Sequence, residues 1–487
     1  MSSQAQINKL SERYPFEDEE LEQLLRCYAA LLDDKNTDTF LTKIALSSPY
    51  SYFFLPGNEM RRRIELIENK ILPDGFGSCL RAAMSVDLFV DCANEGVGDV
   101  NLERFLEGVA DCGQRGHKEA LRIIWDCCSY HAEFEDNLDP SMIVDLCYRL
   151  SIAAEVAISP YADADATVAR LESEHDGACS SLERSLAQAG ENGKVTKQNF
   201  YDWAETMAPQ ISSTLSTFMH HLLFHTKMPK IRHLNFVPFE LPKLDQKSDI
   251  FQGVHSPNLF AVACTSPLIG GKWHNLYSFE YHGHSMNRLQ YSILGYAGPT
   301  VVVIETEQGY IVCGFFTTTW KKAAGFYGDS NGFLFQLYPT LTVFQPTGED
   351  TNFIHLQDGL GFGGTTDMPR LFIPASLESC HAGVMDKTFR QGDLLPGDAL
   401  EKFNVKSLEV WGCGGEEAIR NGLKAREEKR KLTDAAIHQA RTIKDKSSFI
   451  EDINLVDTKI YHHRKESRGR AEFAVDEKHG GYVLERV

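Results

Sequence analysis

The chain has 487 residues and a formal net charge of -19, which leaves no basic footprint for bulk nucleic-acid binding. With 43% hydrophobic and 24% charged residues it has the composition of an ordinary globular protein, and the length allows about two to four domains. No apolar run is long enough to span a bilayer, and twelve cysteines without a CxxC pair read as reduced, buried thiols of a cytosolic protein.

The start, Met1-Ser2-Ser3-Gln4, reads as neither a secretory nor a transit segment, and Ser2 stands where N-myristoylation needs glycine. The end, Glu485-Arg486-Val487, is neither a prenyl motif nor a retention signal. From residue 1 to about residue 225 the apolar spacing predicts helices: Leu21, Leu24, Leu25, Tyr28 and Leu32 share one face, and 61–72, 80–92, 102–110, 119–130, 141–157 and 171–187 repeat the pattern. A stretch with Pro229, Pro238 and Pro242 reads as a linker. Short β-branched or aromatic runs cut by Gly, Pro, Asn or Asp then predict strands at 276–281, 300–305, 309–316, 332–337, 342–344, 352–356, 370–373 and 407–411. After Gly414-Gly415, residues 416–446 contain no proline and are dense in Ala, Glu, Lys and Arg, which predicts one long helix. Its apolar residues, Ile419, Leu423, Leu432, Ile437 and Ile443, are sparse for burial in its own protein, and Arg426, Lys429, Arg430 and Lys431 form a basic cluster. Such helices often lie in a partner's groove.

Two segments imitate calcium loops. Around Gly98, Val100 takes the apolar eighth position, while Ala93 and Arg104 fall at the first and twelfth; around Gly193, Val195 takes the eighth, with Gln188 and Asn199 at the ends. Calcium needs oxygen at both ends, above all a bidentate twelfth carboxylate. A paired, calcium-free EF-hand-like region is therefore expected, and a calcium sensor is disfavoured. Residues 359–364 match GxGxxG, but a second strand follows instead of the helix a dinucleotide site requires, so these glycines read as a crowded turn. His282 and His284 alternate along what reads as an extended segment near His274, without further ligands at a supporting spacing. Ser379-Cys380-His381 carries no weight as a catalytic pair, because strand neighbours point oppositely. No GxSxG, HExxH or Walker loop occurs, so no catalytic residue, metal or cofactor is expected.

The order of several motifs resembles a TLDc domain. They run from Asn258-Leu259-Phe260 and Trp273 with Leu276-Tyr277-Ser278-Phe279 to Gly283 with Ser285, then Gly298-Pro299-Thr300 and the following valines. Gly309–Phe316 in outline, Phe326-Tyr327-Gly328-Asp329 and Gly332-Phe333-Leu334-Phe335-Gln336-Leu337 continue the likeness. Gly361-Phe362-Gly363-Gly364, Leu371-Phe372-Ile373, Thr388-Phe389 and Leu408-Glu409-Val410-Trp411-Gly412 close it. The flanking organisation is similar to the lysosome-associated MTOR-pathway subgroup. That resemblance implies a non-enzymatic adaptor, cytoplasmic and peripheral to lysosomal or vacuolar membranes. It would bind the V1 sector of the vacuolar proton ATPase and be linked to nutrient signalling. Several members of the family protect against oxidative stress. Ser2 departs from the subgroup's myristoylation glycine, so recruitment would depend on a protein partner.

The expected fold is α+β: a helical EF-hand-like N-terminal region, a TLDc-like antiparallel β-sandwich with peripheral helices, and a long C-terminal helix. The expected division is 1–75 helical, 76–225 EF-hand-like, 226–250 linker, 251–415 TLDc domain, 416–448 helix and 449–487 a loosely ordered tail. Val301, Val303, Ile311, Phe333, Phe335 and Val410 are expected in the sandwich core. The partner-binding candidates are Ile419, Leu423, Arg426, Arg430, Ile437 and Arg441 on a monomeric protein. The alternative is oxidative-stress protection by the chain's own thiol chemistry.

Overall fold

In the computed structural model the described residues are 4–32, 41, 57–84, 101–113, 115–133, 135–158, 180–224, 238–252, 258–396, 400–442, 472–476 and 481–485. They form two compact units, Met1–Leu241 with Phe251–Gly270, and Pro242–Ile250 with Gly271–Val487. The class is α+β, as the residue patterns predicted.

The first unit is helical. Its described helices are α1 (Gln4–Ser11), α2 (Asp18–Leu32), α3 (Gly57–Leu66, continuing into a π-turn), α4 (Phe76–Ala83), α5 (Leu102–Asp111), α6 (His117–His131), α7 (Pro140–Ile158), α8 (Ser180–Ala189), α9 (Lys197–Met207), α10 (Ser212–Phe224) and α11 (Asn258–Ala263). In α2, three carboxylates occupy the first turn and Leu21, Leu24, Cys27 and Leu31 are buried, so dipole and apolar stripe agree. α10 is buried along all of its length, which its composition explains. Leu215, Phe218, Met219, Leu222 and Leu223 are apolar, while Thr214 and Ser216 return their hydroxyls to the carbonyls of Ile211 and Cys112. Asn258-Leu259-Phe260, expected to open the β block, instead lies in α11 within the helical unit. There the Phe260 ring meets Tyr148 and Phe239, with centroids 5.3 and 5.5 Å away.

The second unit is a sandwich. Its elements are β1 (Lys243–Leu244), β2 (Lys272–Ser278), α12 (Phe279–His282), α13 (Met286–Ile293), β3 (Thr300–Thr306), β4 (Ile311–Phe316), β5 (Phe333–Tyr338), β6 (Thr342–Phe344), β7 (Ile354–His355), β8 (Gly359–Gly364), β9 (Pro369–Pro374), β10 (Cys380–Gly383), β11 (Leu400–Phe403), β12 (Val405–Gly412) and α14 (Gly415–Thr442). One sheet runs β1-β2-β12-β3-β4-β5-β6 and the other β11-β10-β9-β8-β7, all antiparallel except β1 beside β2. A separate hairpin, β13 (Glu472–Asp476) and β14 (Gly481–Glu485), pairs Glu472 with Glu485 in the segment read as a loose tail.

Parity corrects the core assignment. Val302, Ile304, Val312, Phe316, Leu334 and Val410 meet Leu360, Phe362, Leu371 and Ile373 between the sheets. Val301, Val303, Ile311, Phe333 and Phe335 are buried as well, but alternation puts them on the other face of the seven-stranded sheet. When both faces are buried, the residues alternate in direction without alternating in polarity, so hydrophobicity cannot assign the face.

Other departures have local causes. The strand expected at 276–281 ends at Ser278, whose hydroxyl accepts from the Tyr281 N–H and starts α12. His282 therefore ends a helix rather than alternating with His284 along a strand. The glycines of 359–364 form β8, and only Gly363 and Gly364 adopt positive φ, 67° and 76°. β10 and β11 carry little strand signal, because Cys380-His381-Ala382-Gly383 and Leu400-Glu401-Lys402-Phe403 contain no β-branched residue.

Candidate interaction surface

α14 leaves the seven-stranded sheet directly after β12. Its side facing the sandwich is set at helical spacing by Ile419, Gly422, Leu423, Arg426 and Arg430. Ile419 is buried, and Leu423 packs against the core between the sheets. Beneath the helix lies Tyr296, fully buried and bracketed by three glycines. A Cβ on Gly298, Gly412 or Gly422 would stand 2.7, 2.4 or 2.6 Å from Tyr296 atoms, closer than side chains pack. Burial raises the Tyr296 phenol far above its usual range.

The two arginines complete the seam. Arg426 Nη1 donates to the Ser292 carbonyl at 2.6 Å and Arg430 Nη2 to that of Tyr291 at 3.3 Å. Both carbonyls lie in the last turn of α13, where the backbone lacks intrahelical donors and the dipole favours cations. The Arg430 guanidinium also sits 4.4 Å from the centroid of the Tyr291 ring. Burial lowers the pKa of Arg426, with the charge of Arg430 adding to the shift.

Four of the six candidate residues, Ile419, Leu423, Arg426 and Arg430, thus hold the helix on its own domain. This corrects the reading of α14 as poorly supplied for burial: a glycine and two arginine stems replace the missing aliphatic residues. From Lys431 to Ala435 every side chain is exposed, Leu432 by 65%. Ile437 and Arg441 fall on the continuing helical backbone, but their side chains, like Ile443 and the residues beyond, lie outside the described ones.

The Gly193 loop is a turn between α8 and α9, with Gly193 at φ 76°. Asn199, at the twelfth loop position, serves as a cap: its side chain accepts from the Thr196 N–H, and the Thr196 hydroxyl accepts from the Asn199 N–H. Val195 and Leu138 exchange two backbone hydrogen bonds, each of 3.0 Å. The loop's mate is therefore the α6–α7 connection. The Gly98 segment is outside the described residues through 100, and its end, from Asn101, caps and opens α5. Counting from Leu138 as eighth puts Asp136 at the turn position, so the absence of glycine hid this loop. Lys194 Nζ reaches Glu135 Oε2 at 2.9 Å, an ammonium bridging the two loops. Among the described residues no group of three or more side chains could hold a metal ion.

A buried ion pair fixes the glycine-rich end of β8. Arg370 donates to Asp386 at 2.9 Å and to the carbonyls of Phe389, Arg390 and Gly392. Asp386 also accepts from the backbone of Gly364 and Thr388. A Cβ on Gly363 would lie 2.6 Å from the Asp386 carboxylate, which explains glycine there.

The remaining sequence candidates have structural partners. His274 pairs with Asp245, His282 stacks on Tyr277, and His284 on Phe279. Cys380 is buried while His381 meets the Pro369 carbonyl at 3.0 Å. The described cysteines are free thiols, and all but the half-buried Cys79 are buried. Burial pushes Cys147 and Cys380 up to about 12 and raises Cys313 as well, the opposite of what nucleophilic thiolates need.

Residues 245–414 match the TLDc domain family, a span that takes in β2 to β12 of the sandwich and α11 but not α14. Among curated relatives, the MTOR-associated protein MEAK7 of Gallus gallus is 32% identical over 226 residues, 44% of this chain and 47% of that protein. The Homo sapiens protein of the same name is 30% identical over 165 residues, 32% of this chain and 35% of that protein. Oxidation resistance protein 1 of Bos taurus is 30% identical over 149 residues, 29% of this chain and 16% of that protein. The matched stretch spans about half or less of these relatives' own length. Among the described residues no helix is long and apolar enough to cross a membrane.

Proposed function

We propose that the chain is a non-catalytic adaptor that binds the V1 sector of the vacuolar proton ATPase. It would act at the cytoplasmic face of endolysosomal or vacuolar membranes, with a link to MTOR signalling. The TLDc domain is the platform, and the turns of α14 beyond Arg430 are a second contact. The observation that carries this reading is the division of α14: a seam of specific contacts through Arg430, then exposed side chains including Leu432. Anchoring one end of a helix while leaving Lys431 to Ala435 exposed suits groove binding. Likeness to proteins named for MTOR association supports the regulatory assignment.

Affinity capture tests it with the full chain, a chain ending at Arg430, and full-length Leu432→Glu. Pump V1 subunits should come down with the full chain and be reduced by both changes. Ending at Arg430 keeps Tyr296 covered, so a loss would not reflect an opened core. Failure of the intact chain to capture V1 subunits would refute the proposal. The thiol alternative is supported by the similarity to an oxidation resistance protein, but the described thiols, buried apart from Cys79, oppose it.

A further inference from the structure

The helical unit contains a cavity of about 150 Å³. Phe76, Cys127 and Cys128 form its buried side, with half-buried Cys79, Met142 and Asp145 nearer the opening. Its lining is unusual in two ways. Four sulfur atoms border one space, and polarizable sulfur makes favourable contacts with aromatic rings. The space also offers little charge at its buried end: its ionisable groups are the three thiols, Asp145 and, on the exposed side, His131. The three thiols are protonated because burial raises each of them, and the Asp145 carboxylate is already held by Arg149 Nε at 2.6 Å.

We propose that this cavity binds a small, uncharged aromatic molecule, with its ring seated among the sulfur atoms beside Phe76. The buried space fits one ring system, since apolar cavities of about 150 Å³ accept benzene. Without thiolates, the sulfur groups have no charge to offer a metal cation, and a charged ring seated among them would lose its hydration away from the exposed His131. This inference is independent of the docking role of α14.

Indole and benzoate distinguish it on the full-length protein, by thermal unfolding and by alkylation of Cys79 with N-ethylmaleimide. Indole should raise Tm saturably and slow alkylation of Cys79 over the same concentration range, while benzoate does neither. Cys79→Met, which carries its side chain into the space, should weaken indole binding by about tenfold or more. No saturable effect of indole, or equal effects of indole and benzoate, would overturn the proposal whatever the variant does. So would unchanged binding to a folded Cys79→Met protein.

Discussion

Gly422 of α14 lies against the ring of Tyr296, so close that a Cβ would stand 2.6 Å from it. Glycine within a helix is unfavourable by about 1 kcal/mol relative to alanine, so its presence marks a contact worth more than helix propensity. Gly422→Ala should therefore destabilise the protein, with overpacking of about 1–3 kcal/mol exceeding the propensity gain. In a Tyr296→Ala background the cost of the same change should shrink, leaving only the 3.0 Å approach to the Gly298 backbone nitrogen. A double-mutant cycle by urea denaturation checks this, and additivity would rule out the contact as the cause.

The Tyr296 hydroxyl has no hydrogen-bond partner among the described residues. Tyr296→Phe removes a buried, unsatisfied polar group and should leave stability unchanged or raise it by about 1 kcal/mol. A marked loss of stability would reveal a hidden partner for that hydroxyl.

Arg370→Ala should cost about 3–5 kcal/mol, because it leaves the Asp386 carboxylate buried without its cation. Arg370→Lys should recover little: an ammonium cannot reproduce a planar fork serving Asp386 and three carbonyls. Chemical denaturation of both variants measures the difference, and wild-type stability in the lysine variant would contradict this account.

His220 is buried, neither ring nitrogen has a hydrogen-bond partner among the described residues, and burial with neighbouring His221 lowers its pKa from 6.5 to about 3. The native state keeps it neutral while the unfolded chain takes up a proton. Its contribution is present above pH 6.5 and is lost as pH falls toward about 3. Within that window the slope approaches about 1.4 kcal/mol per pH unit. His220→Phe keeps an aromatic ring beside Phe224 and should flatten that part of the stability profile between pH 6 and 4. Denaturation midpoints that fall in parallel for both proteins would contradict the assignment.

Calorimetry should detect no calcium binding near micromolar concentrations. Asn199 caps α9, and the Lys194 ammonium bridges to Glu135 where a cation-binding pair would concentrate carboxylates. Lys194→Met should cost no more than about 1 kcal/mol, since both partners are exposed. Saturable heat on calcium addition would reverse the reading of these loops.

Much of this protein was legible as sequence because local chemistry suffices for it. The glycine-cut runs marked β3 to β6, and proline-free Ala, Glu, Lys and Arg after Gly415 marked α14. Gly193 and Val195 marked one loop, and the ordered motifs from Asn258 to Gly412 pointed to the TLDc domain. Gln188 and Asn199 at the loop's ends are why no calcium was expected there. What remained hidden depended on residues distant in the chain. Which face of β3 meets the second sheet follows from pairing, because a strand buried on both sides carries no polarity contrast. The mate of Val195 is Leu138 because the backbones meet there, although one loop lacks its turn glycine. Most plainly, the sequence placed Arg426 and Arg430 on a solvent-facing or partner-facing helix. Only the tertiary structure gave them the free carbonyls of α13, and only Tyr296 explained Gly422, because a contact across more than a hundred residues leaves no periodic trace in either segment.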